Sequence, residues 1–160
     1  MKVSLNWLKE LVDYQLTADE LASKLSLNTI GIKQQTEDYI ELDLTYNRGD
    51  LLSLRGVAYE VGALTNSSLR FLASIPEDFI WVNKNLPKVS VKVECEDLAP
   101  IYCIAKIEKL KVEHSNDIWV KKLSDCGIRS VNNIADVTNL IMLEYGQPMH
   151  AFDAKGVKDE

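Results

Sequence analysis

The stretch that decides the fold is residues 127–153, which read GIRSVNNIADVTNLIMLEYGQPMHAFD. Within it, apolar residues recur at the spacing of one helix face, at Ile134, Val137, Ile141 and Tyr145. Gly146 follows directly and is typical of a helix end, because glycine adopts the left-handed backbone that closes the last turn. We therefore predict a helix within residues 132–146, with those four side chains on its buried side.

The same helix carries many short amide and carboxylate side chains, which weaken helix interiors because they compete for backbone hydrogen bonds. Asn132, Asp136 and Asn139 are spaced i, i+4 and i+7, so they share one face. This face is either a structural hydrogen-bond lattice or part of a functional pocket, and the residues favour the lattice without excluding the pocket. His150 follows the helix alone, without the partners or spacing of a catalytic triad or a zinc site.

Upstream of this stretch, several patterns predict regular structure. A helix over residues 4–13 is predicted from an apolar face and a cap at Ser4, and Thr17 and Glu20 form a capping box that opens the next helix. Residues 29–38 are polar and predict a loop, whereas YIELDLT at 39–45 alternates like a half-buried strand. Asp50 or Ser53 can then cap the next helix.

The second half opens with two alternating runs, at residues 89–93 and 101–112, that predict strands. A helix beginning at Ser115 or Asn116 follows and ends at Gly127. Residues 71–86 lack a clear period and predict a connector. The fold class expected from these elements is α+β, in two units of 1–70 and 87–160.

Composition limits the possible functions. The 160 residues carry 18 Lys and Arg against 24 Asp and Glu, for a net charge of −6, and 46% are apolar. A chain with this apolar fraction folds, and its acidic balance argues against a general nucleic-acid coat although a local basic groove stays possible. No apolar run approaches the length of a membrane span, so we expect no membrane association. Three cysteines without a C-x-x-C pair do not indicate a metal or redox site.

Three long, collinear motifs resemble the β subunit of bacterial phenylalanyl-tRNA synthetase. They are the 127–153 stretch, MKVSLNWLKELVD at residues 1–13, and LDLTYNRGDLLSLRGVAYEVGALT at 42–65. The resemblance implies a class II ligase that is an (αβ)₂ heterotetramer in the cytoplasm and attaches phenylalanine to its tRNA. In it the α subunit holds the ATP, Mg²⁺ and phenylalanine site, so no cofactor is expected on this chain.

The resemblance further implies that the β subunit contributes a scaffold, tRNA contacts and an editing domain that hydrolyses tyrosyl-tRNA. Residues 1–70 resemble its small helical, winged-helix-like N-terminal domain, and residues from about 87 resemble the start of the editing domain. Editing suits this substrate, since a hydrophobic pocket rejects an analogue with one extra hydroxyl by only about 10². The editing-pocket candidates carried over from the family motif are Arg129, Thr138, Asn139, Pro148 and His150.

Departures from the family pattern are also visible. The tRNA-binding insertion of the family is absent between Leu25 and Tyr39, and Ile101 and Ala105 stand where the family has arginine. The family's remaining editing and catalytic-like segments lie beyond residue 160, so we expect this chain alone neither to aminoacylate nor to edit. The alternative is a non-catalytic RNA-binding or protein-interaction module built on the same scaffold.

Overall fold

The computed structural model describes residues 1–70 and 89–157. The chain divides into two compact units, each made of two separate segments. The first unit comprises Met1–Phe71 and Val112–Ala151, and the second comprises Leu72–Lys111 and Phe152–Glu160. These units group the chain differently from the predicted division at residue 87, because residues 112–151 pack with the first segment. The predicted connector, residues 71–86, lies outside the described residues, and the domain division stays a prediction.

Helices and an antiparallel sheet occur together in the first unit, which confirms the predicted α+β class. The strands are β1 (Lys2–Ser4), β2 (Gly31–Gln35) and β3 (Tyr39–Asp43). The α-helices are α1 (Leu5–Leu11), α2 (Ala18–Asn28), α3 (Leu54–Thr65), α4 (Asp117–Asp125) and α5 (Asn133–Tyr145), with 3₁₀ turns at Gly49–Leu52 and Ala154–Gly156. No helix in the described ranges has the length and apolar character needed to cross a bilayer.

The sheet has the order β1-β3-β2, and both pairings are antiparallel. Lys2 lies opposite Glu41 in one pairing, and Gly31 lies opposite Asp43 in the other. The prediction of a loop over residues 29–38 is therefore wrong for β2. This strand lies at the sheet edge with most of its side chains exposed, so it lacks the apolar alternation that reveals a half-buried strand.

Local caps decide where the first helices begin. The Ser4 hydroxyl accepts a hydrogen bond from the Trp7 N–H at 3.4 Å, which starts α1 directly after β1. At α2 the capping box is confirmed: Glu20 N–H donates to the Thr17 hydroxyl, and Thr17 N–H donates to the Glu20 carboxylate at 2.8 Å. Each such cap stabilises a helix by about 1 kcal/mol.

One hydrophobic core serves both segments of the first unit. Residues before position 70 supply most of it, and α4, α5 and the residue after α4 add four apolar side chains. These four are Leu123, Cys126, Leu140 and Leu143, which are all buried. Helices α4 and α5 therefore complete the core that α1, α3 and the sheet begin.

The predicted strands at 89–93 and 101–112 are wrong. Between residues 89 and 111 the structure has no strand, although every residue of this range is described. A strand needs a neighbour to accept and donate its backbone hydrogen bonds, and no described segment pairs with these residues. Their apolar side chains consequently lie in solvent, with Ile101 82% and Ile107 68% exposed.

Candidate functional site

All five predicted site residues lie on α5 or its flanks, in the first unit. Arg129 lies in the loop between α4 and α5, Thr138 and Asn139 lie in α5, and Pro148 and His150 follow the helix. Arg129, Pro148 and His150 are exposed, whereas Thr138 and Asn139 are half-buried. The structure thus arranges them along one helix and its two ends, and the assignment of a pocket to them stays a prediction.

The candidate side chains differ in whether they already make hydrogen bonds within the protein. Within the described ranges, Arg129 makes no hydrogen bond or ion pair, so its guanidinium is available to a ligand. The Thr138 hydroxyl donates to the Ala135 carbonyl at 2.7 Å, which leaves its oxygen able to accept a hydrogen bond. The candidate residues therefore include one cation in the loop before α5, at Arg129, and one hydroxyl acceptor within α5, at Thr138.

Helix α5 begins at a side-chain cap and ends at a left-handed glycine. The Asn132 side chain accepts hydrogen bonds from the N–H groups of Ile134 and Ala135, at 3.0 and 2.9 Å. At the other end Gly146 adopts the left-handed region, with φ 77°, and donates to the Met142 carbonyl. A Cβ at Gly146 would lie 3.3 Å from the Cβ of Ser53, so glycine is needed for both its backbone and its close packing.

The predicted apolar face of α5 is wrong. Its buried residues are Asp136, Leu140 and Leu143, whereas Val137 and Tyr145 are 37% and 52% exposed. These buried residues have the same i, i+4, i+7 spacing as a conventional apolar face. This side faces inward because Leu140 and Leu143 join the hydrophobic core, and the Asp136 carboxylate finds hydrogen-bond donors there, so neither of its oxygens is buried without a hydrogen bond.

Asp136 is the centre of a polar group that we call the Asp136 cluster, comprising Asp136, Ser115, Ser130 and Val131. One carboxylate oxygen accepts from the hydroxyls of Ser115 and Ser130, each at 2.5 Å, and the other accepts from the Val131 N–H at 2.9 Å. Burial raises the pKa of this carboxyl, but the three hydrogen bonds together outweigh burial, so the pKa lies below its usual value. At neutral pH the group is therefore an ionised carboxylate with a hydrogen bond to each of its oxygens.

A second contact, which we call the Arg55 contact, holds the other end of α5. Arg55 on α3 donates through Nε to the Glu144 carboxylate at 3.1 Å and through Nη2 to the Tyr145 hydroxyl at 2.6 Å. Its guanidinium also stacks 3.9 Å from the centre of the Tyr145 ring. Arg55 therefore joins the first segment of the unit to the residues that immediately precede Gly146.

Helix α4 is fixed to β1 and α1 by ionic and polar contacts. The Ser4 hydroxyl donates to Asp125 at 3.2 Å, and Lys121, one turn earlier in α4, binds the same carboxylate at 2.5 Å within the helix. Lys122 pairs with Glu10 at 2.5 Å. These contacts fix the helix that precedes the Arg129 loop, so they also support the candidate site.

Two clefts lie elsewhere in the first unit. One of about 430 Å³ lies between α2 and β2, and one of about 320 Å³ lies between α1 and α4. None of the five predicted residues lines either cleft. Among the described residues no group of three or more His, Cys, Asp or Glu side chains is placed to hold a metal ion, and the sequence contains no glycine-rich phosphate loop.

Comparison with known proteins matches both halves of the chain. The family model of the B3/4 domain matches residues 98–160. The phenylalanine–tRNA ligase beta subunit of Dehalococcoides mccartyi strain CBDB1 is 38% identical over 144 residues, which are 89% of this chain and 17% of that protein. The one from Rhodopirellula baltica is 39% identical over 158 residues, which are 96% of this chain and 23% of that protein.

A third relative, the beta subunit of Carboxydothermus hydrogenoformans, is 47% identical over 122 residues, or 74% of this chain and 14% of that protein. The chain therefore spans between 14% and 23% of the length of these relatives. These similarities confirm the resemblance to phenylalanine–tRNA ligase beta subunits that the sequence motifs indicate.

Proposed function

We propose that this chain acts as the N-terminal part of a phenylalanine–tRNA ligase beta subunit. The observation that carries the proposal is similarity to such subunits over 89% and 96% of the chain, at 38% and 39% identity. In the assembled enzyme, an (αβ)₂ heterotetramer in the cytoplasm, this part would bind the α subunit, contact the phenylalanine tRNA and support an editing site.

The editing assignment rests on α5 and its flanks. In this proposal Arg129 and Asn139 hold the tRNA end or the aminoacyl backbone, and His150 orients the ester or a water. Thr138 adds a hydroxyl acceptor, and Pro148 shapes the turn that carries His150. The exposed guanidinium of Arg129 supports this arrangement, because an unpaired cation outside a core suits a phosphate or carboxylate ligand.

Aminoacylation is assigned to the partner subunit. In the proposed class II enzyme the α subunit binds ATP, Mg²⁺ and phenylalanine, and we derive no step of that reaction from this chain. We further propose that this chain alone does not aminoacylate, and that it does not edit alone because none of its five candidate residues lines either cleft of the first unit.

The second candidate is a non-catalytic RNA-binding or protein-interaction module on the same scaffold. It is favoured by Ile101 and Ala105, which are exposed and stand where the family pattern has arginine. Without those cations, contact with a phosphate backbone would depend on the lysines nearby, at 106, 109 and 111.

Two binding measurements separate these candidates. In the first, the tagged chain is incubated with a phenylalanine–tRNA ligase α subunit, and co-purification at stoichiometric amounts is expected. In the second, a labelled phenylalanine tRNA is titrated at several salt concentrations, with another tRNA as control. Binding of the α subunit supports the synthetase reading, whereas tRNA binding without any α-subunit contact supports the module.

The pocket assignment is tested in a full-length, editing-competent beta subunit that carries residues 1–160 of this chain. We expect His150→Ala and Asn139→Ala to reduce hydrolysis of tyrosyl-tRNA while phenylalanine attachment continues. Met149→Ala is the matched control, since Met149 is exposed in the same turn and has no assigned role. Unchanged hydrolysis in both variants would show that the assignment is wrong.

A further inference from the structure

Asp136 is a buried charge beside the candidate site that no step of the proposed function uses. Its side chain is 0% exposed although it lies in the first turn of α5. Two candidate residues follow it on the same helix, Thr138 after two positions and Asn139 after three. A carboxylate is costly to bury, so a buried one with complete hydrogen bonding indicates a specific arrangement.

The three donors to Asp136 come from two places in the chain. Ser130 and Val131 follow Arg129 directly in the loop between α4 and α5, whereas Ser115 precedes α4. The carboxylate thus contacts both residues that come after Arg129, one through its hydroxyl and one through its backbone N–H. Because hydrogen bonds to a charged acceptor are short and strong, this loop is held in one orientation against α5.

A neighbouring backbone contact strengthens the same arrangement. Glu113 N–H donates to the Asn133 side-chain oxygen at 3.1 Å, and Asn133 N–H donates to the Glu113 carbonyl at 2.9 Å. The start of α5 is therefore anchored to the segment before α4 independently of Asp136. In consequence, loss of Ser130 or of the Asp136 charge should free the Arg129 loop while the helix start keeps its position.

We propose that Asp136 is a positioning residue that sets Arg129 relative to Thr138 and Asn139 by holding Ser130 and the Val131 amide. The inference deepens the proposed function and rests on it for the role of Arg129. Asp136 itself is not expected to touch tRNA, since its side chain has no exposed surface.

The two serines give a matched pair of variants. Both hydroxyls lie 2.5 Å from the same carboxylate oxygen and both residues are half-buried, but only Ser130 neighbours Arg129. We expect Ser130→Ala to weaken binding of an acceptor-stem RNA hairpin of phenylalanine tRNA about threefold, and Ser115→Ala to change it by less than about 1.5-fold. Equal effects of the two variants would indicate a merely structural role and overturn the proposal.

A double-mutant cycle gives the second measurement. If Asp136 acts through Arg129, Asp136→Asn should weaken hairpin binding by about as much as Arg129→Ala, and the double variant should be no weaker than Arg129→Ala alone. If the double variant weakens hairpin binding by the product of the two single effects, the proposal is contradicted. Asparagine keeps the size of the side chain, and the serine pair decides the question if this variant does not fold.

Failure of the proposed function has a different signature. If the unaltered chain does not bind the hairpin more tightly than an unrelated hairpin, the role of Arg129 in tRNA contact is overturned. Backbone ¹⁵N relaxation of residues 129–131 then decides the positioning claim by itself. Increased mobility in Ser130→Ala and Asp136→Asn, but not in Ser115→Ala, supports it, and unchanged mobility in all three variants overturns it.

Discussion

The two ends of α5 are held by side chains of opposite charge. The partners of these two side chains lie at very different sequence separations. At its start, the Asp136 carboxylate accepts three hydrogen bonds from residues at most 21 positions away. At its end, the Arg55 guanidinium binds Glu144 and Tyr145 from 89 and 90 positions away. The first arrangement is buried and local, and the second is partly exposed and joins the two segments of the unit, so removing them should have different costs.

The largest expected loss of stability comes from removing Asp136 at the buried start of α5. Asp136→Ala leaves two hydroxyls and one backbone N–H without their acceptor, so we expect the free energy of unfolding to fall by about 3 kcal/mol. Urea denaturation followed by circular dichroism measures this change. A loss below about 1 kcal/mol would mean that water or other groups replace the carboxylate.

The next effect concerns the helix end. Gly146→Ala places a Cβ in a left-handed residue and against Ser53, so we expect a loss of about 2 kcal/mol in the free energy of unfolding. Gly49→Ala is the matched control, because nothing lies within 4 Å of a Cβ there and its φ is ordinary. If both alanine variants unfold at the same urea concentration, the close packing on Ser53 is not important for stability.

A smaller effect is expected at the Arg55 contact. Arg55→Met keeps much of the side-chain length but removes the ion pair and the stacking on Tyr145, so we expect a loss of about 1 kcal/mol. Arg55→Lys keeps the charge without the planar geometry and should recover only part of that loss. Full recovery by lysine in the same urea assay would show that charge alone makes the contact.

The smallest effect is on acid sensitivity. Because the folded pKa of Asp136 lies below its unfolded value of about 3.9, the stability that ionisation contributes is complete above that pH. It is lost as the pH falls through the folded pKa. The difference in unfolding free energy between the unaltered chain and Asp136→Asn should stay constant from about pH 7 to 5 and shrink below about pH 4. A difference that shrinks already near neutral pH would contradict the direction of the shift.

Local signals in the sequence predicted most of the first unit. The cap at Ser4 and the capping box at Thr17 start helices where expected, and of the two predicted caps Asp50 and Ser53 it is Ser53 that starts α3. The strand at residues 39–45 is confirmed as β3, with Ile40 and Leu42 buried. These features depend on neighbours within about four residues, so a single sequence contains the information needed to find them.

The predictions that are wrong concern features that depend on residues outside the local stretch of sequence. Strand β2 forms because β3 pairs with it, and residues 89–111 stay irregular because no described segment does. The buried side of α5 contains Asp136 together with the core residues Leu140 and Leu143, and the donors Ser115 and Ser130 that make this burial possible lie outside the helix. The candidate site residues stay a prediction, and the Arg55 contact could not be predicted, since nothing in the sequence links residues 89 positions apart.

The junction of Ser4 with Asp125 has a consequence for synthesis on the ribosome. These residues are 121 positions apart, and translation at 5–20 residues per second separates their appearance by about 6 to 24 seconds. During that interval α4 does not yet cover the surfaces of β1 and α1 that it contacts in the folded unit. The first unit therefore cannot complete its core until α4 and α5 have left the exit tunnel.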